Sequence, residues 1–289
     1  MTQSEQIRIL RNNIRIYSDR SALSQQQKQL CVSQAIDRWL RTASPQEPDI
    51  LYRLFLRQFP EMTEADRARF CLSLVETLPN QNTLLFDKFF LGAEEEATVG
   101  SHGGIALVRN RYNERAFTIL SPTVIGAKQY PAPSFSDACE DIANNRCKFS
   151  ILPLENTHDG RLFGFYAMLD RYELKICAVC SLETENLVGN TRYALVGRSL
   201  PDRIPKHCTW SFECSIATAA GSFPHDILTV AAIFHAELLS IDSLPVLYDE
   251  ELQRFYFAFR IPKEHAMAFH LYCSMEHSRY TPIGLYPIL

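Results

Sequence analysis

Positive charge is in short supply in this 289-residue chain: 29 lysines and arginines stand against 33 aspartates and glutamates, a formal net charge of -4. The counterion-release contribution that drives binding to phosphate backbones is therefore missing, and nucleic acid is not an expected partner. Long apolar runs are missing too. No stretch reaches the roughly 20 apolar residues that span a bilayer. The opening Met1-Thr2-Gln3-Ser4-Glu5 has no basic segment leading into an apolar one, so the expectation is a cytoplasmic protein without a membrane partner. Cysteine is present but unorganised: nine residues, an odd number, without framework spacing, which suits reduced, buried thiols. Cys177 and Cys180 form a lone Cys-x-x-C inside an apolar strand, with no second pair and no nearby histidine, and read as core residues. Nucleotide signatures are also lacking. Gly100-Ser101-His102-Gly103-Gly104 carries neither a G-x-G-x-x-G pattern nor a Walker lysine, and the sequence assigns no cofactor and no metal.

What is there is a chain with 46% hydrophobic residues, long enough to bury a good core and by length to form about two domains. Residues 4 to 91 carry apolar positions at three- and four-residue intervals and predict four or five helices. Ile7, Leu10 and Ile14 make one stripe. A second helix starts at Leu23-Ser24, carries Leu30, Ile36 and Trp39, and is ended by Pro45 and Pro48. Helices from Asp49 to Phe59 and from Thr63 to Leu78 follow, the latter with Thr63 as N-cap and Asp66 at the third helical position. Glu94-Glu95-Glu96 reads as a solvated connection.

From Thr98 the pattern changes to alternating strands and helices, the grammar of an α/β unit. Ile105 to Tyr112 reads as helical and Thr118 to Ile125 as extended. A helix capped by Ser134 is predicted to Asn144, a buried strand over Phe149 to Leu154, a helix over Arg161 to Asp170, and a strand over Leu174 to Val179. The segment Leu152-Pro153-Leu154-Glu155-Asn156-Thr157-His158-Asp159-Gly160 runs from an apolar strand into a dense polar cluster. One reading is an anion site, with the N–H groups of a following helix converging at a strand end. The plainer reading is a capped helix with Thr157 or Asp159 as N-cap, and His158 as a capping or surface residue. From Cys208 the order is strand, helix, strand, strand, helix, strand, a ferredoxin-like arrangement. Cys208, Trp210, Phe212 and Cys214 alternate with Thr209, Ser211 and Glu213, which predicts a strand buried on one face.

These segments resemble the prephenate dehydratases, whose catalytic domain is followed by a regulatory ACT domain. Pro133-Ser134-Phe135-Ser136-Asp137 and Ile151-Leu152-Pro153-Leu154-Glu155-Asn156-Thr157 are similar to the family's helix and its P-[IL]-E-N-[ST] strand end. Asn190-Thr191-Arg192-Tyr193 is similar to T-R-F, and Ile283-Gly284-Leu285-Tyr286-Pro287 to the closing G-x-Y-P. The fold class implied is α+β and α/β: a helical region over 1–97, one periplasmic-binding-protein-like lobe over 98–200, and a ferredoxin-like ACT domain over 206–289.

The resemblance implies that Thr191 is the catalytic hydroxyl if the chain is active, helping to expel hydroxide as carbon dioxide leaves. Asn156, Thr157 and Ser101 would hold substrate. Arg192 would be either an anion partner or an arginine bracing the motif through a carboxylate. In the ACT portion Gly221-Ser222-Phe223 stands where the family has G-A-L, and Asp242-Ser243-Leu244-Pro245 where it has E-S-R-P. Gly221, Ser222, Asp242 and Ser243 would then meet an effector, with glycine allowing close approach and Asp242 receiving an ammonium group. The partners implied are a small carboxylate or aromatic amino acid and a second copy of the chain, joined through the ACT portion.

The family places a whole second lobe between the strand matched by Ile176 to Ser181 and the T-R-F motif, whereas only Leu182 to Asn190 intervenes here. One wall with two charge-assisted hydrogen bonds of about 1.5–3 kcal/mol each supports roughly millimolar binding. A millionfold rate enhancement needs about 8 kcal/mol of selective stabilisation, usually in a closed site. The expectation is a dehydratase-like binding or regulatory protein with an incomplete cleft. The alternatives are an active dehydratase with its cleft completed by a partner or the N-terminal helices, and a scaffold with a helical interaction module.

Overall fold

The computed structural model describes residues 3–17, 22–42, 47–91, 103–183, 189–246 and 249–289. In chain order the helices are α1 (Gln3–Tyr17), α2 (Ala22–Leu40), α3 (Pro48–Gln58), α4 (Glu64–Thr77), α5 (Pro79–Leu91), α6 (Arg111–Leu120), α7 (Phe135–Ala143), α8 (Phe163–Arg171), α9 (His225–Ala231) and α10 (Lys263–Glu276). The strands are β1 (Gly104–Val108), β2 (Lys128–Ala132), β3 (Phe149–Asn156), β4 (Gly160–Arg161), β5 (Lys175–Glu183), β6 (Asn190–Gly197), β7 (Thr209–Ala219), β8 (Glu237–Val246), β9 (Asp249–Arg260) and β10 (Tyr280–Ile288). They fall into two compact units, a helical one of residues 1–86, 222–237 and 263–279, and a sheet unit of residues 87–221, 238–262 and 280–289.

The helical unit is organised by aromatic rings. Phe55 stacks on Phe70 at 4.1 Å between centroids, and Trp39 meets both edge-on at 5.5 and 5.7 Å. The Trp39 indole donates to Gln58 at 2.9 Å, so its one polar atom is satisfied where its ring is buried. Thr63 caps α4 as the sequence predicts: its hydroxyl accepts from the Asp66 amide and its own amide donates to the Asp66 carboxylate, a complete capping box. Pro48 does not close α2, which ends at Leu40; it opens α3, where its missing N–H and fixed φ are tolerated. Glu276 of α10 accepts from the Tyr52 hydroxyl and pairs with Arg67 at 2.7 Å. Asp226 of α9 pairs with His277 at 3.0 Å.

Among the described residues the sheet unit holds one ten-stranded mixed sheet, in the order β2-β1-β3-β6-β5-β10-β7-β9-β8 with β4 paired to β3. β1, β2 and β3 are parallel, as the α/β pattern requires. β5 and β6 form an antiparallel hairpin, and β10 lies between β5, which it meets in parallel, and β7, which it meets antiparallel. Strands of the α/β segment and strands of the C-terminal segment are therefore one continuous sheet. Gly284 permits that junction: a Cβ there would lie 2.6 Å from the Ile176 Cβ and 2.8 Å from its carbonyl oxygen.

Several expected elements are corrected. Ile105 to Leu107 is strand, not helix; all three side chains are fully buried, and a short continuous apolar run of this kind has no period that separates the two. The helix starts later, at Arg111, with the Asn110 side chain accepting from the Tyr112 and Asn113 amides. Thr118 to Ile125, read as extended, is the end of α6 followed by a 3-10 turn over Ser121–Thr123. α8 begins at Phe163 rather than Arg161 because Arg161 is drawn into strand β4 opposite Glu155. β7 is buried on both faces, with Ser211 and Glu213 as inaccessible as Phe212 and Cys214. The polar half of its alternation is an interior. Glu94 to Glu96 and Gly100 to His102 lie outside the described residues.

Candidate functional site

The motif residues do gather at one place, the end of β3 and the start of β6, where Asn156 pairs with Thr191 and Glu155 with Arg192. The Glu155, Asn156, Thr157 and Arg192 side chains hydrogen-bond within the chain there. The Asn156 carbonyl oxygen accepts from the amides of His158 at 2.9 Å and Asp159 at 2.5 Å, and its amide nitrogen donates to the Asp159 carboxylate at 2.8 Å. This is an Asx turn, and it drives the β3–β4 hairpin that closes at Gly160, whose φ of +69° is left-handed. The Thr157 hydroxyl donates to the Asn190 carbonyl at 3.1 Å and accepts from the Asn190 amide at 2.6 Å. Gly189 leaves room for it, since a Cβ at that position would fall 1.9 Å from the Thr157 Oγ1. The polar cluster thus opens a turn and not a helix, and neither Thr157 nor Asp159 is an N-cap. Leu162, and not a residue of the cluster, precedes α8, without a side-chain cap. Thr191 is half-buried, paired with Asn156 on one side and Leu182 on the other. Ser101 lies outside the described residues.

Arg192 donates to Glu155 at 2.8 Å and to the Tyr286 hydroxyl at 3.1 Å, the bracing arrangement of the two the sequence allows. From Tyr286 the network runs inward. Its hydroxyl donates to Glu213, a carboxylate with no exposed surface, which also accepts from the Tyr166 hydroxyl at 3.0 Å and from Arg161 at 2.8 Å. Arg161 in turn donates through Nε to Asp242 at 2.9 Å and through Nη2 to Ser240 at 3.2 Å, with its plane over the Tyr166 ring at 4.8 Å. Six strands and α8 meet at this chain of charges, and no local signal in the sequence announces it: Arg161 and Glu213 are 52 positions apart.

Electrostatics decide the state of these groups. Burial alone would push the Glu213 carboxyl up, but Arg161 and Arg192, with the Tyr286 and Arg161 hydrogen bonds, hold it below the usual carboxylate range. Burial alone would lower the Arg161 guanidinium, and Glu213, Tyr166 and Asp242 more than offset it, so it is firmly charged. An arginine, a carboxylate and two tyrosine hydroxyls that satisfy one another have little left with which to hold a ligand.

Two of the expected effector residues are engaged within the chain. Asp242 is the partner of Arg161, and Ser243 accepts from Gln253 at 3.1 Å. Gly221 has φ of +81°, a left-handed conformation that glycine adopts without strain, and no atom of the chain lies within 4 Å of where a Cβ would stand. Cys177 and Cys180 are fully buried in β5; burial pushes both thiols up, Cys180 to about 12, which makes them poor thiolates. Among the described residues no helix is long and apolar enough to cross a membrane.

No protein-family profile matches the chain, and no curated protein matches it in sequence. Solved structures do match in fold. A prephenate dehydratase from Streptococcus mutans aligns with a TM-score of 0.53 and 18% identity, over 64% of this chain and 98% of that one. GqqA, described as a novel type of quorum-quenching acylase, aligns with a TM-score of 0.50 and 17% identity, over 64% and 94%. A prephenate dehydratase from Arthrobacter aurescens in complex with L-Phe aligns with a TM-score of 0.45 and 14% identity, over 63% and 89%. One architecture thus appears under two different activities, and it specifies neither here. The resemblance read from the strand-end, T-R-F-like and G-x-Y-P-like segments is met at the level of the fold: the chain has a mixed α/β fold similar to that of prephenate dehydratase.

Proposed function

We propose that this protein is a dehydratase-like binding or regulatory protein linked to aromatic amino-acid metabolism, in which the fold is kept and the catalytic cleft is not. The observation that carries this reading is the β5–β6 hairpin. Leu182 pairs with Thr191 and Glu183 with Asn190, so only residues 184–189 separate the two strands. The resemblance implies a second lobe at that point, and six residues cannot build a domain. The groups that would hold substrate on the remaining wall, Asn156, Thr157 and Arg192, are engaged with Asp159, Asn190, Glu155 and Tyr286. A small carboxylate at this wall would have to displace those bonds. On this reading residues 98–200 and 206–289 correspond to the reduced lobe and to an ACT-like region, in a cytoplasmic protein.

Incubation of the purified full-length chain with prephenate, followed by phenylpyruvate absorbance, tests this. No turnover above the uncatalysed rate is expected. Turnover that disappears in Thr191→Ala would replace this reading with an active dehydratase whose cleft is completed by other parts of the assembly. A homodimer through the ACT-like region is part of the proposal. It is supported by β8, which ends the sheet order and leaves Leu238 and Leu239 exposed at 39% and 42%. Sedimentation equilibrium should give twice the chain mass, and Leu239→Lys should return it to one.

A further inference from the structure

Away from the β3–β6 strand ends, the sheet unit contains an open cavity of about 1250 Å³ lined by α8, by parts of β8, β9 and β10, including Leu244, Pro245 and Ile283 of the motif segments, and by the last residues of α5. None of Asn156, Thr157, Thr191 or Arg192 lines it. Thr191 and Lys175 stand at opposite ends of the β5–β6 ladder, since Lys175 pairs with Gly197 and Thr191 with Leu182. Six residues of strand separate Thr191 from Gly197, roughly 20 Å.

Two chemistries meet in the lining. One is aromatic: Phe163 and Tyr256 lie 5.2 Å apart between ring centroids, Tyr166 meets Tyr256 edge-on at 5.9 Å, and Phe90 also lines the space. The other is Lys175. Its ammonium donates to the Pro282 carbonyl at 2.8 Å, which takes one of its three donors. Burial lowers its pKa, and Asp170 and Glu173, which also line the cavity, counter that in part. A partly desolvated ammonium beside an apolar wall is relieved by an anion that brings its own apolar body. Pockets that set an apolar wall against placed polar groups are where small molecules bind, and this lining adds the cations of Lys88, Arg198 and Arg254 to that of Lys175.

We propose that this cavity binds aromatic carboxylic acids, the ring lying against Phe163 and Tyr256 and the carboxylate meeting Lys175. The proposal deepens the reading of the chain as a binding protein, and the two fail separately: prephenate turnover would overturn that reading and leave aromatic-acid binding untouched. The volume exceeds what one benzene ring fills, so a fused ring is the better probe. At about 0.3 kcal/mol per heavy atom, 2-naphthylacetate should bind the full-length chain at roughly millimolar Kd.

Isothermal titration with 2-naphthylacetate and with 2-naphthylethylamine, its opposite in charge, tests the site. The acid should bind and the amine should not. Lys175→Met, which keeps the apolar stem, should weaken the acid at least tenfold. Leu244→Trp, a half-buried cavity residue on β8 whose enlargement fills the space, should abolish binding. No heat from the acid at 10 mM, equal binding of the amine, or unchanged affinity in either variant would overturn the proposal. If Lys175→Met does not fold, Leu244→Trp alone decides it.

Discussion

Replacing Glu213 with glutamine should destabilise the sheet unit by about 3 kcal/mol. The carboxylate has no exposed surface and satisfies Arg161, Tyr166 and Tyr286 together. Breaking a buried ion pair from one side costs about 3–5 kcal/mol, because the other charge stays buried without its partner. Here Asp242 and Ser240 still hold Arg161, and glutamine keeps one acceptor for a hydroxyl, which places the loss at the lower end. A loss of about 3 kcal/mol is more than a hundredfold in the folded-to-unfolded ratio. With m of about 2 kcal/mol/M, the urea midpoint should fall by roughly 1.5 M at unchanged slope. Arg161→Met with Glu213→Gln should cost less than the sum of the two single changes, by at least about 1 kcal/mol, because the pair is removed as a unit. Acid adds a second check. Glu213 has a depressed folded pKa, so its contribution is complete above the unfolded value of about 4.3 and is lost as pH falls through the lower folded one. The gap between wild type and Glu213→Gln should therefore close below about pH 4. A midpoint shift under about 0.3 M at pH 7, or a gap that does not depend on pH, would refute the network as a source of stability.

Gly284→Ala should cost about 2–3 kcal/mol, because its Cβ would be forced against the Ile176 backbone where β10 meets β5; a urea midpoint within error of wild type would contradict that close approach. Thr63→Ala removes the capping box of α4 and should cost the helical unit about 1 kcal/mol, with Thr63→Ser restoring most of it. For Asp226, burial alone would raise the carboxyl, and the His277 hydrogen bond and charge bring it below its ordinary value. Its stabilisation is complete above about pH 4 and fades as pH falls through the depressed folded pKa, so Asp226→Asn should lower the melting temperature at pH 6, by a margin that shrinks as the pH is taken below about 4.

Much of the architecture was legible where a local rule governs it. The spacing of Leu10, Ile14, Ile36 and Trp39 and the Thr63–Asp66 pair belong to helices because neighbours in sequence are neighbours in space. The strand–helix–strand–strand–helix–strand order after Cys208 is also found. β1 is not legible because burial on both faces erases the alternation, and β2 is not because Lys128 to Pro131 are exposed at the sheet edge. The Asn156 cluster illustrates a different limit. Ser, Thr, Asn and Asp cap helices and make turns with the same atoms, and only the chain's path from β3 into β4 decides between them. Glu213 could not be recognised from sequence as a buried charge, since its three hydrogen-bond partners come from β4, α8 and β10 and a glutamate between a phenylalanine and a cysteine on a strand ordinarily faces water.

The place of β10 between β5 and β7 has a consequence for biosynthesis. Every other strand of the sheet leaves the ribosome first, yet none can bring the two halves together, because the ladder that fuses them begins at Tyr280. Until the ribosome has passed Ile288, β5 and β7 each present a bare edge, and Glu213 has no Tyr286 to receive. Completion of the sheet is thus deferred to the end of this stretch of chain. Ribosome-bound fragments arrested before residue 280 should depend on holdase chaperones in a way that the finished chain does not.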